Sequence, residues 1–239
     1  MLLRAELHTH VKIFINRKFS PEQLKKRLNW AKRIGLNVLA ITEHLDLPDF
    51  WEIYDCLEEL CSNGSGALQW EGTTVLAGTE VSIEEGGHIL LIGSLETLKI
   101  LEGRLGRVTL ENAPDFKFLM DNTEDLNFVR IGAHPCRYGY ELWKIGSQLK
   151  RLDALEINAN ELIMAKLVQR QAFDMKIPVL AGSDAHHWLQ MGRVYNLLPL
   201  KRGFTIADLK QVVARYKVTW CRQGAISIML GGLLKGAVK

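Results

Sequence analysis

An α/β barrel is the fold class this sequence predicts, and three observations predict it. Short β-rich runs alternate with longer helical runs, the pattern of βα units around a parallel sheet. The length, 239 residues, suits one such barrel. Histidines and acids recur after the strand candidates, the end at which parallel barrels carry their sites.

The first strand candidate is Leu2 to His10. A helix follows: Ser20 is a suitable N-cap, Pro21 stands at the first helical position, and Gln23 completes a capping box. Leu24, Leu28, Ala31 and Ile34 recur at helical spacing, and Gly35 is the stop. Asn37 to Thr42 reads as the second strand, Pro48 to Leu60 as a helix, and Ser62 to Gly66 as a polar connection. Further strand candidates are Thr74 to Ala77, His88 to Gly93, Phe128 to Ala133, Ala154 to Asn158 and Val179 to Gly182. Helical runs are predicted at about 95–105, 115–125, 140–151, 160–175 and 205–216. No repeat or linker divides the chain, so one domain over 1–239 is expected, with a helical tail over about 204–239.

Composition excludes several classes. About half of the residues are apolar and a quarter charged, which is not the balance of a disordered chain. A net charge of +3 admits an anionic substrate but supplies no basic patch for nucleic acid. Four cysteines without CxxC spacing read as reduced thiols in a cytoplasmic protein. The start MLLRAELHTH has no apolar signal region, and the apolar tail AISIMLGGLL is shorter than the roughly 20 residues that span a bilayer. No membrane partner is expected.

Placement of the seven histidines carries the functional reading. His8, His10, His44, His134 and His186 follow strand candidates, and His88 opens one. Glu80 and Asp184 share these positions. Side chains two apart on a strand point the same way, so His8 and His10 can share one metal, and Asp184 and His186 repeat that spacing. Imidazoles and carboxylates without cysteine suit Zn, Mn or Fe(II) rather than a Cys-rich structural zinc. Each residue has a bland alternative: a packed HxH pair, a helix cap at Asp184, a solvated acid at Glu80. Six histidines and two acids gathered at strand ends favour metal binding jointly.

The ordered segments LHTH, ITEH, GTEVS, GGHILLIG, GAHPCR and AGSDAH resemble the PHP (polymerase and histidinol phosphatase) family, over about residues 5 to 195. The resemblance implies a distorted, seven-stranded (β/α)7 barrel with a metal cluster at its C-terminal face. It implies two or three divalent ions and hydrolysis of phosphate esters. It also implies ligand roles. His8, His10, Glu80 and Asp184 would hold one metal; Glu80 would bridge to a second with His88 and His134; His44 and His186 would hold a third. Glu6 and Glu43 stand where the family has aspartates, and VKIFINRKFS offers only Asn16 where the family places another third-site ligand. The third site is therefore expected to be the weakest.

The expected activity is hydrolysis of a small phosphate monoester by metal-activated water. Arg137 and Arg193 are the candidate phosphate clamps, since a guanidinium matches phosphate oxygens in a fork. Arg17 and Lys18 are weaker candidates, better read as surface charges. His187 has no family role, and Cys136 reads as packing. Glu156 is a candidate to orient a ligand histidine, while Trp51 and Tyr54 either line or pack the pocket. The pocket itself is expected in the 46–73 and 96–127 segments. The rivals are an amidohydrolase, which lacks its lysine here; a nuclease, for which no basic groove with stacking aromatics appears; and a non-catalytic metal-binding scaffold.

Overall fold

Ten strands form one sheet in the order β10-β9-β1-β2-β4-β5-β6-β7-β8, with β3 paired to β4 off this path. The computed structural model describes residues 2–12, 18–62 and 67–223. The elements are β1 (Leu3–Glu6), α1 (Pro21–Arg33), β2 (Val38–His44), α2 (Phe50–Cys61), β3 (Leu68–Trp70), β4 (Thr73–Ser82) and β5 (His88–Gly93). There follow α3 (Leu95–Leu105), α4 (Phe116–Asp121), β6 (Val129–Ala133), β7 (Ala154–Asn158), α5 (Ala165–Met175), β8 (Val179–Gly182), β9 (Val194–Leu198), α6 (Ile206–Ala214) and β10 (Thr219–Arg222).

The sheet curls until its ends meet. Thr9 bridges Ala185 in parallel, and the Ser183 N–H donates to Glu6 Oε1 at 3.0 Å. On β9, Asn196 accepts from the Ala181 N–H at 2.9 Å and donates to the Ala181 carbonyl at 2.8 Å. One side-chain amide thus joins β8 to the strand that flanks β1. Ala5, Val38, Ala40, Leu90, Ile131 and Leu180 pack inside this curl, while Leu24, Leu28 and Ala31 of α1 join a second core between helices and sheet.

The barrel is distorted, as expected, and it is not an all-parallel βα repeat. Strands β1, β2, β4, β6, β7 and β8 run one way, but β5 is antiparallel to both β4 and β6. Only five residues separate β4 from β5, too few for the crossover a parallel pair requires, so β5 must return beside β4. The consequence is functional: the start of β5 lies at the same end of the barrel as the C-termini of its neighbours.

Other departures are local. Ser20 has extended backbone at the head of α1 but makes no side-chain cap; Gln23 bonds its carbonyl through the main chain, so the capping box does not form. The expected helix at 140–151 is a 3-10 turn broken at Gly146, whose φ is +65°, and the one expected at 160–175 opens as a 3-10 turn over 159–164 before α5. The tail expected to be helical holds α6 and then β10; residues 224–239, like Asn16 and Arg17, lie outside the described residues. Among the described residues, no helix is long and apolar enough to cross a membrane.

Candidate metal centre

Six strand ends bring eight side chains together. His8 and His10 follow β1, His44 ends β2, Glu80 lies near the end of β4, His88 opens β5, His134 follows β6, and Asp184 and His186 follow β8. Glu80 is the hub, and it is 1% exposed. Its Oε1 lies 2.8 Å from His88 Nδ1 and 3.0 Å from His134 Nε2. Its Oε2 lies 3.2 Å from His8 Nε2, 3.1 Å from His10 Nε2 and 3.5 Å from His44 Nε2. Asp184 Oδ1 approaches His10 Nε2 at 3.5 Å and His8 Nε2 at 3.8 Å.

Three groups have ligand atoms close enough to share an ion: His8, His10, Glu80 and Asp184; Glu80, His88 and His134; and His10, His44 and His186. The first two have the membership the resemblance implies. In the third, His10 joins His44 and His186, so one imidazole is common to two groups. The donor set fits divalent cations on its own terms. His8 Nε2 faces His10 Nε2 at 3.2 Å, and His88 Nδ1 faces His134 Nε2 at 3.3 Å. Nitrogens so close repel when both carry protons, and a cation held between them would replace those protons. Their spacing is the edge of a tetrahedron with bonds of roughly 2.0–2.1 Å, about 3.3 Å. His10 Nδ1 and His134 Nδ1 are also buried without a hydrogen-bond partner.

Electrostatics follow from this crowding. Burial works to raise the Glu80 carboxyl, yet the surrounding His88, His44 and His8 hold it well below the usual carboxylate range. Burial opposes protonation of His8, but Glu156 and Glu80 outweigh it and raise His8 to about 10. Burial, joined by the charge of His10, pushes His44 and His186 down to about 4. Glu43, despite burial, is drawn down to about 2, chiefly by His10.

The supporting residues are partly those anticipated. Glu156 Oε1 lies 2.7 Å from His8 Nδ1, and its Oε2 accepts from the His134 N–H at 2.8 Å. Gly182 makes room for this pairing: a Cβ there would collide with the Glu156 carboxylate and come within 2.6 Å of the His8 Cβ. His134 and Asp184 both have positive φ, +29° and +49°, a strained conformation that surrounding bonds must hold. Tyr54 is buried, with its hydroxyl among the Ile41 carbonyl, the Gly78 carbonyl and the Glu43 N–H, so it packs the fold rather than lining a pocket. Trp51 is half-buried against Phe50 and Tyr54. Cys136 is half-buried with its thiol pushed up by burial, His187 accepts from the Leu189 N–H, and Lys18 is exposed.

The two arginines separate. Arg137 reaches the centre: its Nη2 donates to Asp184 Oδ2 at 2.6 Å and its Nε to Glu161 Oε1 at 2.7 Å, leaving the guanidinium partly exposed. Arg193 does not reach the mouth. It is 1% exposed, and it donates to the Gln190 and Ser183 carbonyls and to Asn160 Oδ1, so burial removes it as a phosphate clamp. Sequence reasoning passed over Arg27, which is equally buried and donates to the backbone of two ligand residues. A cavity of about 500 Å³ opens beside His88, lined by Ser82, Glu84, Leu110, Glu111, Asn112 and Tyr140. Its 110–112 wall falls in one of the two segments expected to shape the pocket.

Comparisons agree with this architecture. The PHP-associated family model matches residues 166–217. The chain is similar in structure to PsfC from Pseudomonas syringae PB-5123 (19% identity, TM-score 0.78, covering 99% of this chain and 98% of that one). It is also similar to the lesion-specific endonuclease PfuEndoQ from Pyrococcus furiosus (20%, 0.69, covering 90% of this chain), of which it spans about half the length, 56%. A candidate metal-dependent phosphoesterase from Bifidobacterium adolescentis shares the fold more distantly (16%, 0.52, covering 88% of this chain and 96% of that one). A comparison with curated protein sequences finds no match. Fold and site define a barrel-like α/β protein with buried His/Glu/Asp groups suited to divalent metals. The PHP-associated match covers residues 166–217, and the likeness to solved structures shows the fold. The expectation that nucleic acid is no partner gains no support, because endonuclease Q has been solved with a 27-mer duplex.

Proposed function

We propose that the chain is a metal-dependent phosphoesterase that hydrolyses a small phosphate monoester. The observation that carries this reading is Glu80, one buried carboxylate whose two oxygens face two separate histidine groups. Such a carboxylate can serve two cations and reduce their mutual repulsion. His8, His10, Glu80 and Asp184 would hold one ion, Glu80, His88 and His134 a second, and His44 with His186 a third. Divalent cations, when bound there, supply Lewis acidity and activate water for attack on phosphorus.

The chain's own residues do the rest. Glu156 fixes the His8 ring and draws the His134 backbone toward it. Arg137 holds the outer oxygen of Asp184 so that the inner one faces His10 and His8. Its partly exposed guanidinium is the cation available to a phosphate oxygen. Burial of the cluster excludes bulk water and strengthens each of these interactions.

The test is metal analysis of the purified protein with hydrolysis of a phosphomonoester panel in added Mn(II). Two or three ions per chain, and turnover that His134→Ala abolishes, are expected. A chain that binds no metal and is inert under Mn(II) overturns the reading in favour of a scaffold. The fold shared with endonuclease Q favours a second reading, a nuclease; cleavage of lesion-bearing duplex DNA with no monoester turnover would select it.

A further inference from the structure

Arg27 lies on the face of α1 that also carries Leu24, Leu28 and Ala31, and it is 1% exposed. A guanidinium in that position must satisfy its donors inside the protein. Its Nε donates to the His10 carbonyl, its Nη2 to the His186 carbonyl at 2.6 Å, and its Nη1 to the Gln23 carbonyl of its own helix at 3.1 Å. Among the described residues no carboxylate forms an ion pair with it; Glu43 is the acid whose charge it feels. A buried cation satisfied by carbonyls is expensive, and the two carbonyls it reaches beyond its own helix belong to two candidate ligands.

Those two ligands share one group. The His10 and His186 rings are 4.3 Å apart between centroids, and with His44 they form the third set of close ligand atoms. The strand-end segments that carry them touch through the Thr9–Ala185 bridge and the His10 N–H bond to the Ala185 carbonyl at 3.0 Å. That bond fixes one edge of the pair; Arg27 ties the other by gripping both carbonyls from the helix side. His44 stands on β2, and the carbonyls Arg27 reaches belong to His10, Gln23 and His186 instead.

We propose that Arg27 is a positioning residue for the His10/His44/His186 group: it sets the spacing of His10 and His186 and so determines whether that group takes a divalent ion. The proposal rests on the metal-centre reading above and names a determinant outside the ligand set. The first group has four ligands, and the second is built on Glu80 with both its histidines within 3.0 Å. The third has imidazoles alone and borrows His10 from the first. A tie that fixes two of three ligands therefore matters most there.

The experiment is a Co(II) titration of the metal-stripped full chain, followed by visible absorption and calorimetry, on wild type, Arg27→Met, Arg27→Lys, His44→Ala and the Arg27→Met/His44→Ala double variant. His44 belongs to the third group alone and so identifies its equivalent. The expected result is that Arg27→Met weakens that same equivalent roughly tenfold to a hundredfold. The other equivalents keep their affinity and absorption bands, Arg27→Lys recovers part of the loss, and the double variant loses no more than His44→Ala. Equal titrations for Arg27→Met and wild type overturn the proposal, as does a uniform loss across all equivalents in both Arg27 variants, which would mark a general role in folding. A wild type that binds two ions but no third overturns it while leaving the phosphoesterase reading intact. A wild type that binds none overturns that reading first and this one with it.

Discussion

Glu156 and His8 sit on β7 and just past β1, strands not hydrogen-bonded to each other, yet their side chains meet at 2.7 Å with both residues at 1% exposure or less. The contact passes over Gly182 of β8, where a Cβ would meet both side chains. It leaves His8 Nε2 facing Glu80 and occupies the other ring nitrogen with a carboxylate. A histidine so held is oriented and made more basic toward a cation. Glu156→Gln keeps the shape but removes the charge. The expected outcome is metal affinity lowered roughly tenfold to a hundredfold with the fold retained, measured by metal titration against circular dichroism. An unchanged affinity would show that the Glu156 charge does not act on the site.

Arg193 and Arg137 are distinguishable by variant. Arg193 serves carbonyls and an amide in the interior, so Arg193→Met takes a charged donor from the Gln190 and Ser183 carbonyls and from Asn160 Oδ1. Hydrogen bonds to a charged group contribute about 1.5–3 kcal/mol each, and the loss should appear in denaturant midpoints with kcat retained in the folded fraction. Arg137→Met should show the reverse: turnover falls because Asp184 loses its orienting partner and the phosphate its cation. If both variants lose kcat alike at unchanged stability, the separation of roles is wrong.

How much of this was legible in the chain depends on the residue. The eight clustered side chains were found because six strand ends put the same chemistry at one face. His88 was the awkward member, at the start of a strand; the antiparallel course of β5 explains it, since that start lies beside Ala133 at the end of β6. Strands β5, β7 and β8 took their expected bounds because each is an apolar run between clear stops. β3, β9 and β10 were missed: they are three to five residues long, mixed in pattern, and owe their existence to a partner strand rather than to local preference. Arg27 and Arg193 were unreadable for another reason. Along the chain Arg27 reads as surface charge and Arg193 as a phosphate clamp, and only the fold reveals the buried carbonyls they serve.

The cavity beside His88 supplies a specificity test. Tyr140 packs its ring 5.0 Å from the His88 ring and forms one wall, facing the Leu110 to Ala113 turn. A substrate whose phosphate sits at the cluster would lay its leaving group there. Tyr140→Ala removes apolar wall but no candidate ligand. KM should rise roughly fivefold, as expected for about 1 kcal/mol of lost contact, while kcat and metal content stay near wild type. A fall in kcat with KM unchanged would instead place Tyr140 in the chemical step.

Proton traffic distinguishes the histidines. In the metal-free protein His8 is raised to about 10: burial opposes the charge, but Glu156 and Glu80 prevail; burial opposes His10 too, but Asp184, Glu43 and Glu80 raise it well above the usual value. The stability these imidazolium ions contribute is therefore full below about 6.5, the ordinary histidine value, and is lost as pH rises through the folded value near 10 for His8. His44 and His186 have the opposite sign. Burial lowers both to about 4, so they are neutral at pH 7, and their contribution is present above about 6.5 and lost as pH falls toward 4. A cation entering the first group must displace protons, whereas one entering beside His44 and His186 finds neutral ligands. Calorimetric metal titration at pH 8 in buffers of different ionisation enthalpy should thus record release of roughly one to two protons with the first ions bound. Metal affinity should rise as pH increases from 7 to 9. Binding with no proton release would mean that His8 and His10 are neutral before the metal arrives, and that Glu80, Asp184 and Glu156 share their charge in some other way.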